Sequence, residues 1–418
     1  MNRSDEVDGQ VSVSATGDRK TMKRNLMFGG SLVVTIALLG AAEAKFDAMA
    51  AAQTVRAPIF EVDPFWPKPL PNGWVYGTVI GVTVDAQDHV YIVHRGVAGA
   101  EAAADQDPPL AECCSSAPPV LEFDPDGNLV RAWGGPPEDS SYVWPGSNHG
   151  LGIDASGNIW IGGNGGGDSH VLKFTQTGEY LATYGQPEQP INSNATDHFG
   201  RVADIEFDFD ANEAYFADGY GNRRVAVVDI DTGELKRYWG AYGNRPDDDF
   251  EYEGNRVGGT GWSADDYSEQ QFRTPVHCAE PSNDKLIYVC DRPNNRIQVF
   301  QTDGTFVREA YYAPETLGDG AIWDIAFSPD PEQAFLYVAD GKNARIRIID
   351  RQTMEEVSTL GTGGRYPGMF QAAHSIDTDS QGNIYLTETY EGRRLHKFVF
   401  KGVGDAARHQ GAAWPRGN

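Results

Sequence analysis

The 418-residue chain has few cysteines, a deficit of basic residues and only one long apolar stretch. Lys and Arg total 34 against 60 Asp and Glu, which gives a formal net charge of −26. An acidic surface of this kind argues against nucleic acid and anionic membranes as partners. Four cysteines, two of them the adjacent pair Cys113 and Cys114, are too few and too badly spaced for a structural zinc cluster.

The apolar stretch covers residues 26–42 and follows a basic region. It ends at the Ala-Glu-Ala sequence of residues 42–44, which fits a small-x-small cleavage site, and it is short for a membrane span. We therefore predict an N-terminal extension and signal peptide within residues 1–44 and export to the periplasm or the cell exterior. The alternative is an uncleaved anchor at residues 26–42. After cleavage we expect a monomer with no stable membrane partner.

Glycine is abundant, with 48 residues, and one short sequence pattern recurs six times. The clearest copy starts at His149: two runs of alternating apolar and polar residues flank a Ser-Gly-Asn turn, which indicates an antiparallel hairpin. Each copy expands to a four-strand unit with an aromatic residue in its second strand, namely Tyr91, Trp160, Tyr215, Tyr288, Tyr337 and Tyr385. Four-stranded repeats of about 40–50 residues are typical of propeller blades.

The sequence thus predicts an all-β fold, a six-bladed β-propeller with four-stranded blades over residues 58–402, followed by a tail at 403–418. The last unit lacks its fourth strand, and a lone strand near residues 60–66 has no hairpin partner. We expect this N-terminal strand to complete the last blade, which closes the ring and removes an open edge. The long insertion at 244–271 is interpreted either as a loop that shapes a site or as a solvated surface loop.

Cysteines 278 and 290 flank a predicted turn at residues 283–285. Cys278 and Cys290 are therefore a candidate disulfide across a hairpin, provided that the strict geometry of the bond is met. Export would place them in an oxidising compartment.

Aligning the six copies places one residue of each unit at the start of the innermost strand. The position lies eleven residues before the second-strand aromatic, or thirteen in the fifth unit, and holds Ile80, His149, Asp204, His277, Asp324 and His374. Histidine thus occupies blades 2, 4 and 6, which are about 120° apart in a radial repeat. Three imidazoles meeting on the axis with an open fourth position suit a catalytic Zn²⁺. Asp204 and Asp324 are candidate hydrogen-bond acceptors behind the histidines.

A second set of positions follows the second strand of each unit. Arg95, Tyr220 and Arg292 there replace the small residues usual in such turns and are candidate site residues. Arginines a few positions further on belong to an Asp-x-x-x-Asn-x-Arg pattern and are interpreted as scaffold residues, namely Arg224, Arg296 and Arg345.

These features together resemble an NHL-repeat propeller, and more specifically peptidyl-α-hydroxyglycine α-amidating lyase, the lyase domain of peptidylglycine α-amidating enzymes. The matching segments are residues 81–85, 94–96, 149–154, 198–199, 217–220, 289–300 and 370–374. The resemblance covers about residues 58–402. One extra residue, Val276, separates Pro275 from His277 relative to the family, and Gly221 stands where the family has a disulfide cysteine.

The resemblance implies a zinc ion on three histidines, which here are His149, His277 and His374. It implies that Tyr220, Arg95 and Arg292 are the catalytic residues. It also implies a calcium ion in the channel, with the carbonyls of Val82 and Leu151 as ligands. The family's calcium-binding aspartate is replaced by Ser375 in this chain.

The implied reaction cleaves an N-acyl carbinolamide to an amide and glyoxylate or a similar acid. Tyr220 would be the general base, Arg95 beside it would favour the phenolate, and Arg292 would hold the carboxylate of a small-molecule or peptide-like substrate. Two alternatives remain open because a fold does not determine a function. One is a different metal-dependent propeller enzyme, a hydrolase or lactonase, and the other is a non-catalytic NHL binding propeller.

Overall fold

Short apolar runs separated by turns rich in Gly and Asp form the strands of a computed structural model that describes residues 54–97, 99–252 and 269–415. The description below concerns the compact unit Val55–Asn418 and the strand that leads into it. The predicted signal peptide and the alternative anchor lie outside the described residues. In the described part of the chain, no helix has the length and apolarity needed to cross a membrane.

Six four-stranded antiparallel sheets make up the all-β fold, so the predicted six-bladed propeller is confirmed. Blade 1 contains Val79–Val84, Val90–His94, Val120–Phe123 and Leu129–Trp133; blade 2 contains Asn148–Ile153, Ile159–Gly163, His170–Phe174 and Tyr180–Gly185; blade 3 contains Val202–Asp208, Glu213–Asp218, Arg224–Asp229 and Leu235–Trp239. Blade 4 contains Val276–Pro281, Leu286–Asp291, Arg296–Gln301 and Phe306–Tyr311; blade 5 contains Asp324–Phe327, Phe335–Asp340, Arg345–Asp350 and Glu355–Leu360; blade 6 contains Ala373–Thr378, Ile384–Glu388 and Leu395–Ala407.

Short strands and 3-10 helices lie outside the six blades. Two parallel two-stranded pairs join Trp74–Val75 to Ser115–Ser116 and Thr362–Gly363 to Met369–Phe370. Short 3-10 helices cover Gly99–Asp105, Ala241–Gly243 and Arg292–Asn294.

The second strand of each blade lies between two strands of its own sheet and under the adjoining blades, which explains why its apolar residues are almost all buried. The six predicted aromatics of these strands are at most 1% exposed. Trp160 shows how such a residue is fixed: its ring lies edge-on 5.5 Å from Phe207 of blade 3, and its indole N–H donates to Asp154 at 3.1 Å. Asp154 also accepts from two backbone N–H groups of the preceding turn, so one carboxylate joins the turn to the core.

The N-terminal strand Thr54–Asp63 pairs with Leu395–Ala407 as the fourth strand of blade 6, so the predicted closure of the ring is confirmed. The strand begins earlier than residue 60, and Trp66 lies beyond its end against Tyr385 of the same blade, with ring centroids 4.8 Å apart. Residues 403–407, assigned to the tail from sequence, continue the third strand of the blade.

The candidate disulfide between Cys278 and Cys290 is present, with the two Cα atoms 4.9 Å apart on neighbouring strands of blade 4. Cys113 and Cys114 are bonded to each other, a pairing that the sequence pattern did not indicate.

Buried ion pairs fix the loops after the second strands, as the scaffold interpretation predicts for Arg224 and Arg296. In blades 3 and 4 these arginines each lie 2.7 Å from the aspartate that ends the second strand, with both partners fully buried. In blade 5 the ion pair is formed by Arg347, 2.6 Å from Asp340, while Arg345 donates to the carbonyl of Asn343 in the turn at 3.3 Å. Arg347 lies two residues further along the same strand and therefore on the same face.

Phe60 tests whether the N-terminal strand holds the ring closed. It is 2% exposed, and its ring lies 5.6 Å from Tyr337 of blade 5 and 5.7 Å from Phe400 of blade 6. We expect Phe60→Ala to lower the free energy of unfolding by about 3–5 kcal/mol, measured by urea denaturation, because a large buried side chain is removed. The control is Phe65→Ala, since Phe65 is 81% exposed in the same segment. Equal urea midpoints for the two variants would contradict this account.

Candidate metal centre

Each histidine of the predicted set lies in a β-bulge of an innermost strand. In blade 2, Asn148 is opposite Gly163 but Leu151 is opposite Ile161, so His149 and the following residue face a single partner residue. The same irregularity occurs at the other two histidines, in blades 4 and 6. A bulge bends the strand and re-aims a side chain, which here directs the imidazole into the channel. His277 occupies the same structural position as the others despite the extra residue before it.

The three imidazoles converge. The rings of His149, His277 and His374 have centroids 4.9–5.1 Å apart, and one nitrogen of each lies within 4.8 Å of the others. All three side chains are buried, at 1–2% exposure. The alignment of the repeats therefore identified three residues that the fold brings together.

Backbone carbonyls from the odd-numbered blades orient these rings through Nδ1. The acceptors are the carbonyl of Ala203 for His149 (2.8 Å), of Trp323 for His277, and of Ile80 for His374 (2.7 Å). Ile80 and Ala203 are themselves the extra residues of bulges in blades 1 and 3, and Trp323 immediately precedes the inner strand of blade 5. Because a carbonyl only accepts, each Nδ1 carries the proton and each Nε2 keeps a free lone pair.

Asp204 and Asp324 do not take the role predicted for them. The histidine acceptors are the carbonyls of the residues immediately before these two acids. A bulge frees a backbone carbonyl from the sheet ladder, and that carbonyl then serves the neighbouring blade. The carboxylates instead accept from backbone N–H groups, Asp204 from Ala279 at 3.4 Å and Asp324 from Ile376 at 2.9 Å.

Burial keeps the imidazoles neutral. It is the largest cause of the lowered pKa of each of the three, and it brings the pKa of His374 to about 3. Nearby positive charge lowers the pKa values further, with Arg292 acting on His277 and His374. Three neutral imidazoles with converging lone pairs are suited to bind a metal ion, whereas three protonated imidazoles would repel one another and the metal.

Tyr220 lies against this cluster. Its hydroxyl is 2.9 Å from Nε2 of His149 and 3.1 Å from Nε2 of His277, and it accepts from Nη1 of Arg292 at 3.2 Å. One hydroxyl proton can satisfy only one of these Nε2 lone pairs, and Nε2 of His374 has no donor within the described ranges. Three Nε2 lone pairs thus converge on a single hydroxyl proton, and a divalent cation could bind the lone pairs that this proton leaves unpaired.

The two predicted arginines bind different partners from those expected. Arg292, and not Arg95, donates to the Tyr220 hydroxyl, and its guanidinium lies 4.5 Å from the ring centroid of Trp323. Arg95 reaches towards blade 2, where it donates to the carbonyl of Asn148 at 3.2 Å and to the side chain of Asn164 at 2.9 Å. The sequence placed both arginines at the site but could not determine which of them contacts the phenol.

The residues of the implied calcium site lie on three inner strands. Val82 and Leu151 are buried in blades 1 and 2, at 6% and 2% exposure. Ser375, in the position of the family's aspartate, hydrogen-bonds the carboxyl group of Asp324. The carboxyl group of Asp324, from blade 5, therefore lies beside Ser375, the blade 6 position that holds an aspartate in the family.

Further along the inner strands, acidic side chains line the channel, namely Asp204, Glu206, Glu280, Asp324 and Asp377. Burial raises the pKa of all five, and that of Asp204 and Asp377 to about 7. Mutual repulsion adds to this effect, most clearly between Glu206 and Glu280. The alignment overlooked Glu280 and Asp377, although each is the third residue after a histidine and a bulge makes that position face the channel again.

Comparison with known proteins gives distant relatives, and no family model matches the chain. Peptidyl-alpha-hydroxyglycine alpha-amidating lyase 1 of Drosophila melanogaster is 25% identical over 303 residues, or 68% of this chain and 49% of that protein. NHL repeat-containing protein 3 of Mus musculus is 24% identical over 311 residues, or 72% and 70%. Peptidyl-glycine alpha-amidating monooxygenase of Mus musculus is 24% identical over 328 residues, or 75% and 29%.

Among solved structures, virginiamycin B lyase from Staphylococcus aureus aligns with a TM-score of 0.43 at 14% identity, covering 78% of this chain and 85% of that chain. The sequence relatives confirm the predicted similarity to amidating lyases and NHL-repeat proteins. The chain spans about half or less of the length of the amidating relatives.

The acidic channel makes a testable contribution to stability. The pKa of Glu206 is raised in the folded protein, so its stabilising contribution is complete below the ordinary glutamate pKa and is lost as pH rises through the folded-state value. Gln mimics the protonated acid. We therefore expect Glu206→Gln to raise the thermal midpoint of the metal-free protein at pH 8, by about 2–4 °C for each kcal/mol relieved, and to change it little at pH 5.

The matched control is Glu179→Gln, at an exposed glutamate on the outer part of blade 2, which should shift neither midpoint. A rise of equal size at pH 5 and pH 8 for Glu206→Gln, measured by differential scanning calorimetry, would refute the role of its ionisation.

Proposed function

We propose that this chain is an exported, zinc-dependent lyase that cleaves an N-acyl carbinolamide to an amide and glyoxylate or a similar acid. The observation that carries the proposal is the convergence of three neutral imidazoles beside the hydroxyl of Tyr220, to which Arg292 donates. The names of the amidating relatives support the same reaction class. The two disulfides are consistent with export, since such bonds persist in oxidising compartments.

His149, His277 and His374 would hold the zinc ion through Nε2. Zinc, when bound, supplies Lewis-acid polarisation of the substrate hydroxyl and a template for its orientation. The three Nδ1 hydrogen bonds to backbone carbonyls hold the rings in one tautomer and one orientation, which lowers the cost of forming the site.

Tyr220 is the proposed general base. It takes the proton of the substrate hydroxyl, the oxygen's electron pair forms the aldehyde carbonyl, and the carbon–nitrogen bond breaks. The departing amide nitrogen gains a proton, so no proton is consumed overall. A phenol must be ionised before it can accept a proton, and an N–H of Arg292 at 3.2 Å from its oxygen would stabilise the phenolate form of Tyr220.

Arg95 is the better placed of the two arginines for a substrate carboxylate, which exchanges the roles expected from the resemblance. Two of its nitrogens are held by Asn148 and Asn164, and Nη1 has no acceptor among the residues that the structure describes. An oriented guanidinium with free N–H groups is suited to bind a carboxylate.

A second candidate is a calcium-dependent propeller hydrolase or lactonase. The five channel carboxylates favour it, because Ca²⁺ prefers oxygen ligands. The bound metal distinguishes the two candidates: zinc supports the lyase, and calcium without zinc supports the hydrolase.

Metal analysis beside an activity assay tests the proposal. We expect about one Zn²⁺ per purified chain, and release of glyoxylate from N-benzoyl-α-hydroxyglycine. His149→Ala should lose both, because a ligand is missing. His170→Ala is the matched control at a buried histidine outside the cluster and should keep its zinc. Wild-type protein that contains zinc but releases no glyoxylate would reject the substrate, and protein purified without chelators that contains no zinc would reject the site.

Tyr220→Phe separates chemistry from metal binding. Removal of the hydroxyl should lower kcat by about 10²–10⁴-fold, the usual size of a general-base contribution, while zinc content stays at the wild-type value. Tyr180→Phe removes a hydroxyl that bonds Thr183 in the outer strand of blade 2, away from the cluster, and its kcat should match wild type. A change in KM alone for Tyr220→Phe would argue against a general base.

A further inference from the structure

The loop after the second strand of each blade contributes side chains to one mouth of the channel. Tyr220 is the second residue after that strand in blade 3, and Tyr390 is the second residue after it in blade 6. Blades 3 and 6 of a six-fold ring are related by about half a turn. Two phenols thus occupy equivalent positions on opposite sides of the mouth.

Trp323 connects Tyr390 to the candidate metal centre. The ring of Tyr390 lies edge-on 6.1 Å from that of Trp323. The ring of Trp323 also lies 5.5 Å from His374, 6.1 Å from His277 and 4.5 Å from the guanidinium of Arg292. The backbone of Tyr390 has a φ of 51°, a left-handed conformation that a bulky residue rarely adopts. Such conformations are retained where the surrounding structure holds a side chain in place, often at functional sites.

Charges at the mouth act on the same phenol. Burial and the nearby Asp319 raise the pKa of Tyr390, while Arg292 and Arg95 oppose them. Tyr390 therefore remains a protonated donor near both arginines. Its side chain is 48% exposed, and its hydroxyl has no hydrogen-bond partner in the part of the chain that the structure describes. An oriented donor of this kind, half open to solvent, is available to a ligand.

We propose that Tyr390 is a substrate-binding residue that donates its hydroxyl to the carboxylate of an N-acyl-α-hydroxyglycine, from the side of the channel opposite Tyr220. This inference rests on the proposed function. In this arrangement Arg95 neutralises the carboxylate and Tyr390 orients it. Tyr220 remains free to take the proton from the substrate hydroxyl.

The test uses two unreactive probes with the zinc-loaded protein. N-benzoylglycine carries the carboxylate and lacks the hydroxyl, and N-benzoylglycinamide replaces the carboxylate by a neutral amide. We expect Tyr390→Phe to raise the Kd for N-benzoylglycine by about tenfold, as the loss of a hydrogen bond to a charged group does, and to change the Kd for the amide by less than about twofold. Isothermal titration calorimetry measures both values.

Zinc content and the thermal midpoint of Tyr390→Phe should equal those of wild type. The control is Tyr366→Phe, at a tyrosine that is 66% exposed and packs on Trp414, and it should bind both probes like wild type. Equal affinity of Tyr390→Phe and wild type for N-benzoylglycine would overturn the inference, and so would an equal loss for both probes. Failure of wild type to bind N-benzoylglycine would also overturn it.

Glyoxylate release by wild type separates this inference from the proposed function. If wild type binds N-benzoylglycine but releases no glyoxylate from the hydroxylated substrate, the proposed lyase activity fails. The role of Tyr390 is then decided by the two Kd values alone.

Discussion

The hydrogen bond from each histidine Nδ1 to a carbonyl of the next blade is the interaction on which the candidate metal centre depends. It joins blade 2 to blade 3, blade 4 to blade 5, and blade 6 to blade 1. The last of these bonds, from His374 to Ile80, crosses the junction that the N-terminal strand closes. The geometry of the centre therefore requires a closed ring, and the stability of the fold and the arrangement of the ligands have a common origin.

Charge changes sign along the channel. At the mouth, Arg95 and Arg292 form a cationic region in a chain whose net charge is −26. The neutral histidines come next, and the carboxyl groups with raised pKa values lie further along the inner strands. The two arginines would attract the carboxylate of the proposed substrate to the mouth, and the acids beyond would repel it less when they are protonated.

The repeat explains how much of this arrangement could be predicted from sequence. A radial fold converts an equal position in each copy into an equal position around the axis, so aligning the copies was sufficient to bring His149, His277 and His374 together. Alignment could not predict the bulges, because a bulge changes which backbone and side-chain groups are free without leaving a clear sequence pattern. The sequence therefore pointed to the carboxylates of Asp204 and Asp324 as the acceptors behind the histidines, whereas the acceptors are backbone carbonyls. The sequence also did not show which groups the long side chains of Arg95 and Arg292 would contact.

Blade 4 contains the one candidate ligand, His277, whose local sequence departs from the family pattern. His277 lies in the same kind of bulge as His149 and His374, and the next residue, Cys278, is bonded to Cys290 on the adjoining strand. Cys290 lies two residues before Arg292, which donates to Tyr220. A covalent bond thus joins the strand of a candidate metal ligand to the strand that leads to the arginine at the proposed base. Blade 4 places the ligand and the arginine together, and the closed ring then brings the other two histidines to them.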